Sequence, residues 1–292
     1  MEHPVYLLAP PLSLATDIPN NAIMRGLSSQ ERAVDRTKAI SQFIALVEVL
    51  SRDGLVYCLP SPIPLQDQPY TSNVAAVLPH RPNTAILANF ASEPRRGEEK
   101  VAGPFLQALG FGVVCPPVFF EGEADLKFLG GKTYASAFGM RTSRKFADWL
   151  TDTYDADVIR IEIIDPCCYH LDCVMLPLPA DRLAVCGELL DYTVMDRLAS
   201  EYDILDVPLK HAHAGALNCV VSGKSLLIDS TLSSLAKNDP VWVQESAMVA
   251  QVGRIADFAG LEPVTLNMSE FNKSGAALSC LVMNLNRRNF ER

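Results

Sequence analysis

The sequence predicts an α/β fold in which one small unit is repeated along a single domain. Short apolar runs alternate with helical segments throughout the chain of 292 residues. A unit of two strands, a helix and a further strand recurs roughly every 55 residues, about five times. No low-complexity linker interrupts this pattern, and apolar residues make up 49% of the chain, enough for a sizeable core. We therefore expect one domain over residues 1–292.

The first repeat contains the clearest helix. A strand is predicted over residues 4–9, and the polar loop TDIPNNA that follows it is a suitable place for a mobile lid. A helix is predicted over residues 28–54, because a serine pair can cap it, apolar residues recur at helical spacing, and Gly54 can end it. The run LVYCLP completes the repeat as a strand.

The later repeats are predicted from shorter runs in the same order. Four further helices are expected, over residues 95–110, 142–154, 191–202 and 245–260. The strands around them are the apolar runs VAAVL, NTAILANF, GVVCPPVFF, LKFLGGKTYASAFG, VIRIEII, CVMLPLP, RLAVCGELL, LNCVVSGKSLLID, PVTLNM and LSCLVMNLNR. The segment SGKS at 222–225 lacks the upstream glycine of a phosphate-binding loop, which disfavours a nucleotide-binding sheet.

Composition and charge exclude several classes of function. The net charge is −9 and no basic run stands out, so we expect no nucleic-acid partner, whereas a cationic substrate suits the acidic balance. No apolar run approaches the ~20 residues that span a bilayer, and the N-terminus lacks the pattern of a signal peptide, so no membrane association is expected. The eight cysteines are irregularly spaced and two are adjacent, which favours reduced thiols in a cytoplasmic protein.

One segment, DPCCYHLDCVML at 165–176, concentrates groups that can carry chemistry. On a strand, the adjacent Cys167 and Cys168 point to opposite faces, and no C-x-x-C spacing is present, which disfavours a metal or redox site. If the segment is a strand, His170 and Asp172 share a face, and together they can act as an acid/base and cation-holding pair. A core strand with one hydrogen-bonded histidine remains the alternative.

A histidine base requires a nucleophile, and Cys280 is the candidate. Small residues precede it in KSGAALSC, including Ser274, and such a loop allows a substrate to approach closely and leaves backbone N–H groups free. The alternative is a buried strand cysteine. The motif HAHAG at 211–215 spaces two histidines for one strand face, which is compatible with a metal ligand pair or with an ordinary surface loop.

Other polar residues follow apolar runs and could surround a cation. Glu121 and Asp125 come directly after a predicted strand, where acids either cap a turn or hold a cationic group. Asn73 precedes another apolar run, with Asp67 six residues before it. Arg95 and Arg96 stand at the start of one predicted helix, and Arg141 directly precedes another.

Taken in order, these segments resemble one family of proteins. The set NNAIM, YTSNVAAVL, PRRGEE, FEGEAD, FGMRTS, HLD, LNCVV and KSGAALSC is similar to the pentein superfamily of guanidine-modifying enzymes. It most resembles the dimethylarginine dimethylaminohydrolases and the arginine dihydrolase-like members. The resemblance implies a five-bladed α/β propeller with pseudo-fivefold symmetry, a central active site and a single catalytic domain.

The resemblance also implies roles for individual residues. Cys280 matches the nucleophile, His170 the general acid/base and Glu121 the acid of the EG motif. Asn73 stands where deiminases carry an aspartate that holds the guanidinium. The other matching residues would contact the substrate, and the two arginines among them would bind its carboxylate. These residues are Asp67, Asp125, Asp172, Ser274, Arg96 and Arg141. This sequence departs from the family pattern at some positions, for example with Tyr-Thr-Ser-Asn in place of Phe-Thr-Ala-Asn. These departures bear on the identity of the substrate more than on the type of reaction.

The chemistry expected of these residues is hydrolysis of a guanidinium group. Carboxylates can hold the planar cation by charged hydrogen bonds, a thiolate can attack its carbon, and a histidine can protonate the leaving amine and then activate water. We expect an arginine-like small-molecule substrate, a covalent thiouronium intermediate, and no metal or organic cofactor. The products would be ornithine, as in arginine dihydrolases, or citrulline, as in deiminases and dimethylargininases. A neutral Asn73 would favour the second hydrolysis, because it weakens guanidinium binding relative to a ureido group.

Two other functions remain open at this point. An amidinotransferase would use an amine in place of water as the acceptor. A non-catalytic pentein-like binding protein would not need a thiol, a histidine and two arginines together. A homodimer is compatible with the sequence but is not required by it.

Overall fold

The structure, a computed structural model, describes residues 3–286 and contains five three-stranded sheets that share one plan. In each sheet the central strand pairs antiparallel with one neighbour and parallel with the other. The predicted fivefold repetition of strand, strand, helix and strand is confirmed. The ends of the expected domain, residues 1–2 and 287–292, lie outside the described residues.

The elements follow one another in chain order as follows. The strands are β1 Val5–Leu8, β2 Leu55–Cys58, β3 Ala75–Val77, β4 Thr84–Leu87, β5 Gly112–Val114, β6 Leu126–Gly130, β7 Thr133–Phe138, β8 Asp157–Glu162, β9 Met175–Leu178, β10 Arg182–Val185, β11 Asp203–Asp206, β12 Val220–Ser222, β13 Ser225–Asp229, β14 Glu262–Leu266 and β15 Met283–Asn284. The helices are α1 Ala22–Gly26, α2 Ser29–Arg32, α3 Arg36–Leu50, α4 Glu98–Ala108, α5 Lys145–Tyr154, α6 Tyr192–Glu201, α7 Leu209–His213, α8 Trp242–Ala259 and α9 Ser269–Asn272.

The sheets are numbered here by their order along the chain. Sheet 1 has the strand order β15-β1-β2, so it joins the two ends of the described chain, and sheets 2 to 5 are β3-β4-β5, β6-β7-β8, β9-β10-β11 and β12-β13-β14. The parallel pair in each sheet is connected through a helix, which is α3, α4, α5, α6 or α8 in turn. These crossovers explain why each repeat has a helix before its last strand.

The long helix expected over 28–54 is divided in two. Ser28 caps α2 in a capping box with Glu31, and Asp35 then caps α3 by accepting a hydrogen bond from the backbone N–H of Lys38. The backbone N–H of Asp35 donates to Glu270 at 2.8 Å. A second cap inside the apolar pattern therefore restarts the helix, because the Asp35 side chain competes with helical hydrogen bonding.

Short 3-10 turns precede the first strand of four sheets and bring those sheets together. These turns are Thr71–Asn73, Gly122–Ala124, Leu171–Cys173 and Ser279–Leu281, and Asn218 lies at the corresponding place before β12. The Thr71 hydroxyl is within hydrogen-bond distance of the carbonyls of Leu7, at 2.8 Å, and Leu281, at 2.9 Å. Residues far apart in sequence therefore meet where the sheets begin.

The core is continuous with this meeting point. One cluster of buried side chains combines Tyr6 and Leu8 of β1 with Phe43 and Leu46 of α3, and it reaches Cys280. A larger cluster lies between sheets 3, 4 and 5 and the helices that cover them. No helix among residues 3–286 is both long enough and apolar enough to span a bilayer.

Candidate active site

A small cavity lies where the sheets begin, and most of the predicted site residues line it. Its volume is about 20 Å³, which is room for about one water molecule. The lining residues are Asn20, Asn21, Asp67, Tyr70, Asn73, Arg95, Arg141, Tyr169, His170, Ser274, Ala276 and Cys280. Of the predicted residues, Cys280, His170, Asn73, Asp67, Arg141 and Ser274 are therefore brought together.

His170 and Glu121 form a buried pair at the edge of this cavity. Each directly precedes a 3-10 turn: His170 precedes the turn that leads into sheet 4, and Glu121 precedes the turn that leads into sheet 3. The His170 Nε2 atom lies 2.9 Å from Glu121 Oε2, and Glu121 is fully buried. Burial acts to raise the pKa of Glu121, but the hydrogen bond from His170 and the charges of Arg141, His170 and Arg95 outweigh it and lower the pKa to about 2. Glu121 is thus an anion that orients the imidazole.

Asn73 lies against the same imidazole from sheet 2. Its Nδ2 atom is 3.3 Å from His170 Nε2 and 3.5 Å from His170 Nδ1. The amide of Asn73 is almost completely buried. The predicted neutral residue therefore stands beside the predicted base, in a position where an aspartate would add a negative charge.

Cys280 lies in the turn before β15, with its thiol between two polar side chains. The Sγ atom is 3.6 Å from Asp172 Oδ2 and 3.7 Å from Asn218 Nδ2. Burial, followed by the negative charge of Asp172, raises the pKa of Cys280 to about 12. The thiol is therefore protonated at neutral pH until a positive charge enters the cavity.

The expected strand face shared by His170 and Asp172 is corrected by the structure. His170 is extended, Leu171–Cys173 is a 3-10 turn, and β9 begins only at Met175. Asp172 therefore does not point with His170. It lies behind the thiol instead, where its Oδ2 atom accepts a hydrogen bond from the Ser279 hydroxyl at 2.6 Å. The alternation expected of a strand fails because a turn starts two residues after Tyr169.

Arg141 occupies the side of the cavity next to Glu121. Its Nη1 atom is 3.0 Å from Glu121 Oε2, and its Nη2 atom donates to the Asn20 carbonyl at 2.9 Å. The guanidinium also lies 4.9 Å from the centre of the Tyr169 ring. Arg141 thus links the polar loop of residues 16–21 to the His170–Glu121 pair.

Arg96 does not line the cavity, whereas its neighbour Arg95 does. Arg96 is exposed and donates from Nε to the Phe90 carbonyl at 3.3 Å. Arg95 is buried in the cavity wall and makes two hydrogen bonds to Glu98, at 3.0 and 2.7 Å. Burial alone would lower the pKa of Arg95, but the Glu98 carboxylate more than compensates and raises it. The spacing of Arg95 and Glu98 by three residues was the sequence signal for this pair.

Asp67 and Ser274 line the cavity but are already hydrogen-bonded. Asp67 Oδ2 accepts from Asn20 Nδ2 at 2.6 Å, and burial raises the pKa of Asp67. The Ser274 hydroxyl makes a short hydrogen bond with the hydroxyl of Tyr70, and its carbonyl accepts from Asn21 Nδ2 at 2.8 Å. Asn20 and Asn21 belong to the loop predicted as a lid, and the structure places them over the cavity.

Asp125 does not line this cavity. Its carboxylate accepts hydrogen bonds from the Thr142 hydroxyl, at 2.6 Å, and from the backbone N–H of Leu171, at 3.2 Å. Thr142 follows Arg141, and Leu171 follows His170. Asp125 is therefore a positioning residue that fixes the backbone on either side of the cavity, in contrast to the substrate contact predicted for it.

A second cavity is also lined by Cys280. Its volume is about 180 Å³. It shares Tyr169, His170, Ala276 and Cys280 with the first cavity, and its other lining residues are Ile23, Cys167, Cys173, Ala212, His213, Ala214, Gly215, Asn218, Asn272, Gly275 and Ala277. Cys280 and His170 thus line both cavities.

Comparison with known sequences agrees with this arrangement. The profile of the family described as N,N dimethylarginine dimethylhydrolase, eukaryotic, matches residues 11–285. The N(G),N(G)-dimethylarginine dimethylaminohydrolase of Mycobacterium tuberculosis is 25% identical over 284 residues, which cover 96% of this chain and 85% of that protein. The bifunctional arginine dihydrolase/ornithine cyclodeaminase AgrE of Nostoc sp. is 24% identical over 284 residues, which cover 95% of this chain but only 37% of AgrE.

Solved structures confirm the predicted pentein fold. The N-terminal domain of ArgZ, in a variant covalently bound to a reaction intermediate, superposes with a TM-score of 0.83 at 21% identity and covers 97% of this chain and 98% of that chain. A mutant of DDAH from Pseudomonas aeruginosa, complexed with citrulline, superposes with a TM-score of 0.71 at 17% identity over 97% and 99% of the two chains. Because the family profile spans nearly the whole sequence and the fold is the same, the chain belongs to the dimethylarginine dimethylhydrolase family of the pentein superfamily.

Proposed function

We propose that this protein hydrolyses the guanidinium group of arginine or of a close analogue through a covalent intermediate on Cys280. One observation carries the proposal: a thiol and an imidazole from the turns before two different sheets line one cavity, and a buried carboxylate before a third sheet pairs with the imidazole. The relatives named above act on dimethylarginine or arginine according to their names. Both compounds are guanidinium cations, which suits a cavity bordered by Glu121 and Asp67.

The first half of the reaction forms a thiouronium. The thiolate of Cys280 adds to the guanidinium carbon, and the carbon–nitrogen bond to the leaving amine then breaks. His170 donates a proton to that amine, and Glu121 stabilises the imidazolium before the transfer. In the second half, His170 takes a proton from water as the oxygen adds to the same carbon. The carbon–sulfur bond then breaks, which releases a ureido product and regenerates the thiolate.

The charge of the substrate activates the nucleophile. Because burial and Asp172 hold the pKa of Cys280 at about 12, the free enzyme carries a neutral thiol. A bound guanidinium places a positive charge next to the sulfur and favours the thiolate, and the proton leaves to solvent. The nucleophile is therefore formed only when the substrate is present.

The arginines supply the opposite charge for the other end of the substrate. Arg95 and Arg141 line the cavity, and Arg141 already contacts the covering loop at the Asn20 carbonyl. A carboxylate of an amino-acid substrate would pair with them. Because a cavity of about 20 Å³ is too small for arginine, the loop of residues 16–21 must move to admit it.

Asn73 decides how many hydrolyses occur in this proposal. Its neutral amide binds a cationic guanidinium less strongly than an aspartate would, so a ureido intermediate can stay in the cavity. A second attack by Cys280 would then expel a second ammonia, and hydrolysis of the carbon–sulfur bond by a second water would give ornithine and carbon dioxide. A single hydrolysis would release citrulline instead.

The experiment is product analysis by mass spectrometry with arginine, methylarginines, citrulline, agmatine and canavanine. We expect ornithine or citrulline from an arginine substrate, and Cys280→Ala is expected to abolish turnover while its circular dichroism spectrum stays unchanged. The variant Asn73→Asp is expected to shift the ratio of ornithine to citrulline towards citrulline.

Each part of the proposal has a result that would contradict it. Retained turnover in Cys280→Ala would contradict the assignment of Cys280 as the nucleophile. An unchanged ratio of ornithine to citrulline in Asn73→Asp would contradict the role proposed for Asn73. Addition of an amine separates hydrolysis from amidino transfer, because only a transferase would yield an amidinated acceptor. No reaction with any guanidine, and no selective labelling of Cys280 by a haloacetamidine, would favour a binding protein.

A further inference from the structure

Two sequence motifs that the proposed chemistry does not use meet in the structure. Asp165 and Cys168 belong to DPCC, in the segment between β8 and His170, and His213 belongs to HAHAG and ends α7. One ligand atom from each of these three side chains lies within 4.8 Å of the other two. No other group of three histidine, cysteine or acidic ligand atoms comes this close among residues 3–286.

The local geometry prepares these side chains for a shared ligand. Asp165 Oδ1 accepts hydrogen bonds from the backbone N–H groups of Cys167, at 2.7 Å, and Cys168, at 3.3 Å, so the segment is held in a turn. The other oxygen, Oδ2, faces His213 Nε2 at 2.8 Å. Asp165 and Cys168 are separated by two residues, the spacing with which a turn presents two ligands to a structural zinc ion.

We propose that Asp165, Cys168 and His213 form a site for Zn²⁺ or a divalent cation of similar softness, with water as the fourth ligand. Thiolate, imidazole and carboxylate are the three ligand types that zinc binds in proteins. Zinc–ligand bonds of about 2.0–2.3 Å require ligand atoms roughly 3.3–3.8 Å apart, so small side-chain shifts complete the site. On binding, Cys168 loses its thiol proton to solvent and the metal replaces the hydrogen bond between His213 and Asp165.

Exposure and position indicate how the site is reached and what it does. The side chains of His213 and Asp165 are 37% and 18% exposed, which gives the ion a path, whereas Cys168 is buried at the inner end. A bound ion would tie α7 to the segment that leads into His170. His213 shares the second cavity with Cys280, but that thiol is not one of the proposed ligands, so the proposal does not depend on the proposed function.

The test is titration of the full-length, chelator-treated protein with Co²⁺, which reports thiolate ligation by absorption. We expect one equivalent to produce a thiolate-to-cobalt charge-transfer band in the near ultraviolet and the visible bands of a four-coordinate site. Zn²⁺ is expected to displace Co²⁺ and to raise the thermal unfolding midpoint. Cys168→Ala should lose the charge-transfer band, and His213→Gln should weaken Co²⁺ binding by about tenfold or more.

Matched variants distinguish this site from adventitious binding. His211→Gln changes the other histidine of the same motif, and Cys167→Ser removes the adjacent, exposed thiol of the same turn; both should bind Co²⁺ like the wild type. Because Cys168 is buried, circular dichroism checks that its variant folds, and the exposed His213 provides a second variant in which folding is not at issue. The proposal is overturned if no charge-transfer band forms, if His211→Gln weakens binding as much as His213→Gln, or if Cys167→Ser removes the band.

Discussion

At the scale of single residues, the environment of Cys280 decides when it can react. Asp172 lies 3.6 Å from the sulfur and adds to burial in raising the pKa of the thiol. In the absence of substrate, this negative charge protects the thiol from neutral electrophiles, because only the thiolate is a strong nucleophile. Asp172 therefore acts on the thiol that we propose as the nucleophile, whereas the sequence predicted a contact with the substrate.

This arrangement predicts the effect of Asp172→Asn. Removal of the charge should lower the pKa of Cys280, by about one unit for a charge at this distance. At a pH below the pKa of the thiol, the thiolate fraction then rises about tenfold. The nucleophilicity of each thiolate falls about threefold, because a less basic thiolate attacks more slowly. Alkylation by neutral iodoacetamide at pH 8 should therefore be about threefold faster. The rate is measured by mass spectrometry of the peptide that contains Cys280.

The exposed Cys58 serves as a control in the same samples, because it is not among the contacts of Asp172. Its alkylation rate should not change between wild type and variant. Slower or unchanged alkylation of Cys280 in Asp172→Asn would contradict the electrostatic role of Asp172. In both proteins, a cationic haloacetamidine should react with Cys280 faster than the neutral reagent, because it carries the charge of the substrate.

At the scale of secondary-structure elements, the 3-10 turns before the first strands position the site. Gly122 opens the turn that follows Glu121 and has a φ of +67°. A Cβ atom at this position would lie 2.5 Å from the backbone carbonyl carbon of Asn73 and from the Ser72 oxygen. The turns of sheets 2 and 3 thus pack backbone against backbone, which requires a residue without a side chain.

Gly122→Ala should therefore be strongly destabilising. We expect a loss of about 3 kcal/mol or more in the free energy of unfolding, because the left-handed backbone costs roughly 1–2 kcal/mol and the clash with two backbone groups adds to it. Turnover should also fall, since Asn73 and Glu121 are displaced. Urea-induced unfolding measures the first effect and the product assay the second.

Gly131 offers a matched control for this substitution. It has a φ of +55°, but nothing lies within 4 Å of its hypothetical Cβ atom. Gly131→Ala should therefore cost only the backbone strain of about 1 kcal/mol and leave turnover unchanged. Equal destabilisation by the two substitutions would show that the packing of the turns is not the cause.

At the scale of the whole molecule, side chains in the turns join sheets that are distant in sequence. Glu123, in the turn before β6, accepts hydrogen bonds from the backbone N–H of Asn284 at 2.8 Å and from Asn284 Nδ2 at 2.7 Å. Asn284 belongs to β15, which pairs with β1 in sheet 1. Sheet 3 is thereby bonded to the strand that directly follows the turn of Cys280.

Glu123→Ala should weaken the whole fold, because it leaves two donors of Asn284 without this acceptor. We expect a loss of about 2–4 kcal/mol in the free energy of unfolding, since each unsatisfied buried group costs roughly 1–3 kcal/mol. Glu123→Gln, which keeps one acceptor oxygen, should lose less. Glu48→Ala, at an exposed position of α3, is the control and should change stability by no more than about 0.5 kcal/mol. A Glu123→Ala variant as stable as this control would exclude the proposed role.

The sequence by itself determined the architecture, and it predicted the chemistry that we propose. Apolar runs and helix signals predicted the repeated unit, because local periodicity reflects which face of each element is buried. Ordered motifs pointed to Cys280, His170, Glu121 and Asn73, whose residue types suit one reaction. What local patterns could not decide was the direction of a side chain within an irregular segment.

Only the tertiary structure decided which neighbour faces the cavity and which residues from distant repeats meet. Arg95 rather than Arg96 lines the cavity, because its pairing with Glu98 turns it inward. Asp172 faces the thiol, because a 3-10 turn replaces the expected strand. Asp165 and His213 belong to separate motifs that carry no common signal in sequence, and they meet because the segment that leads into sheet 4 lies against the helix that follows it. Contacts between repeats depend on packing, which no local pattern encodes.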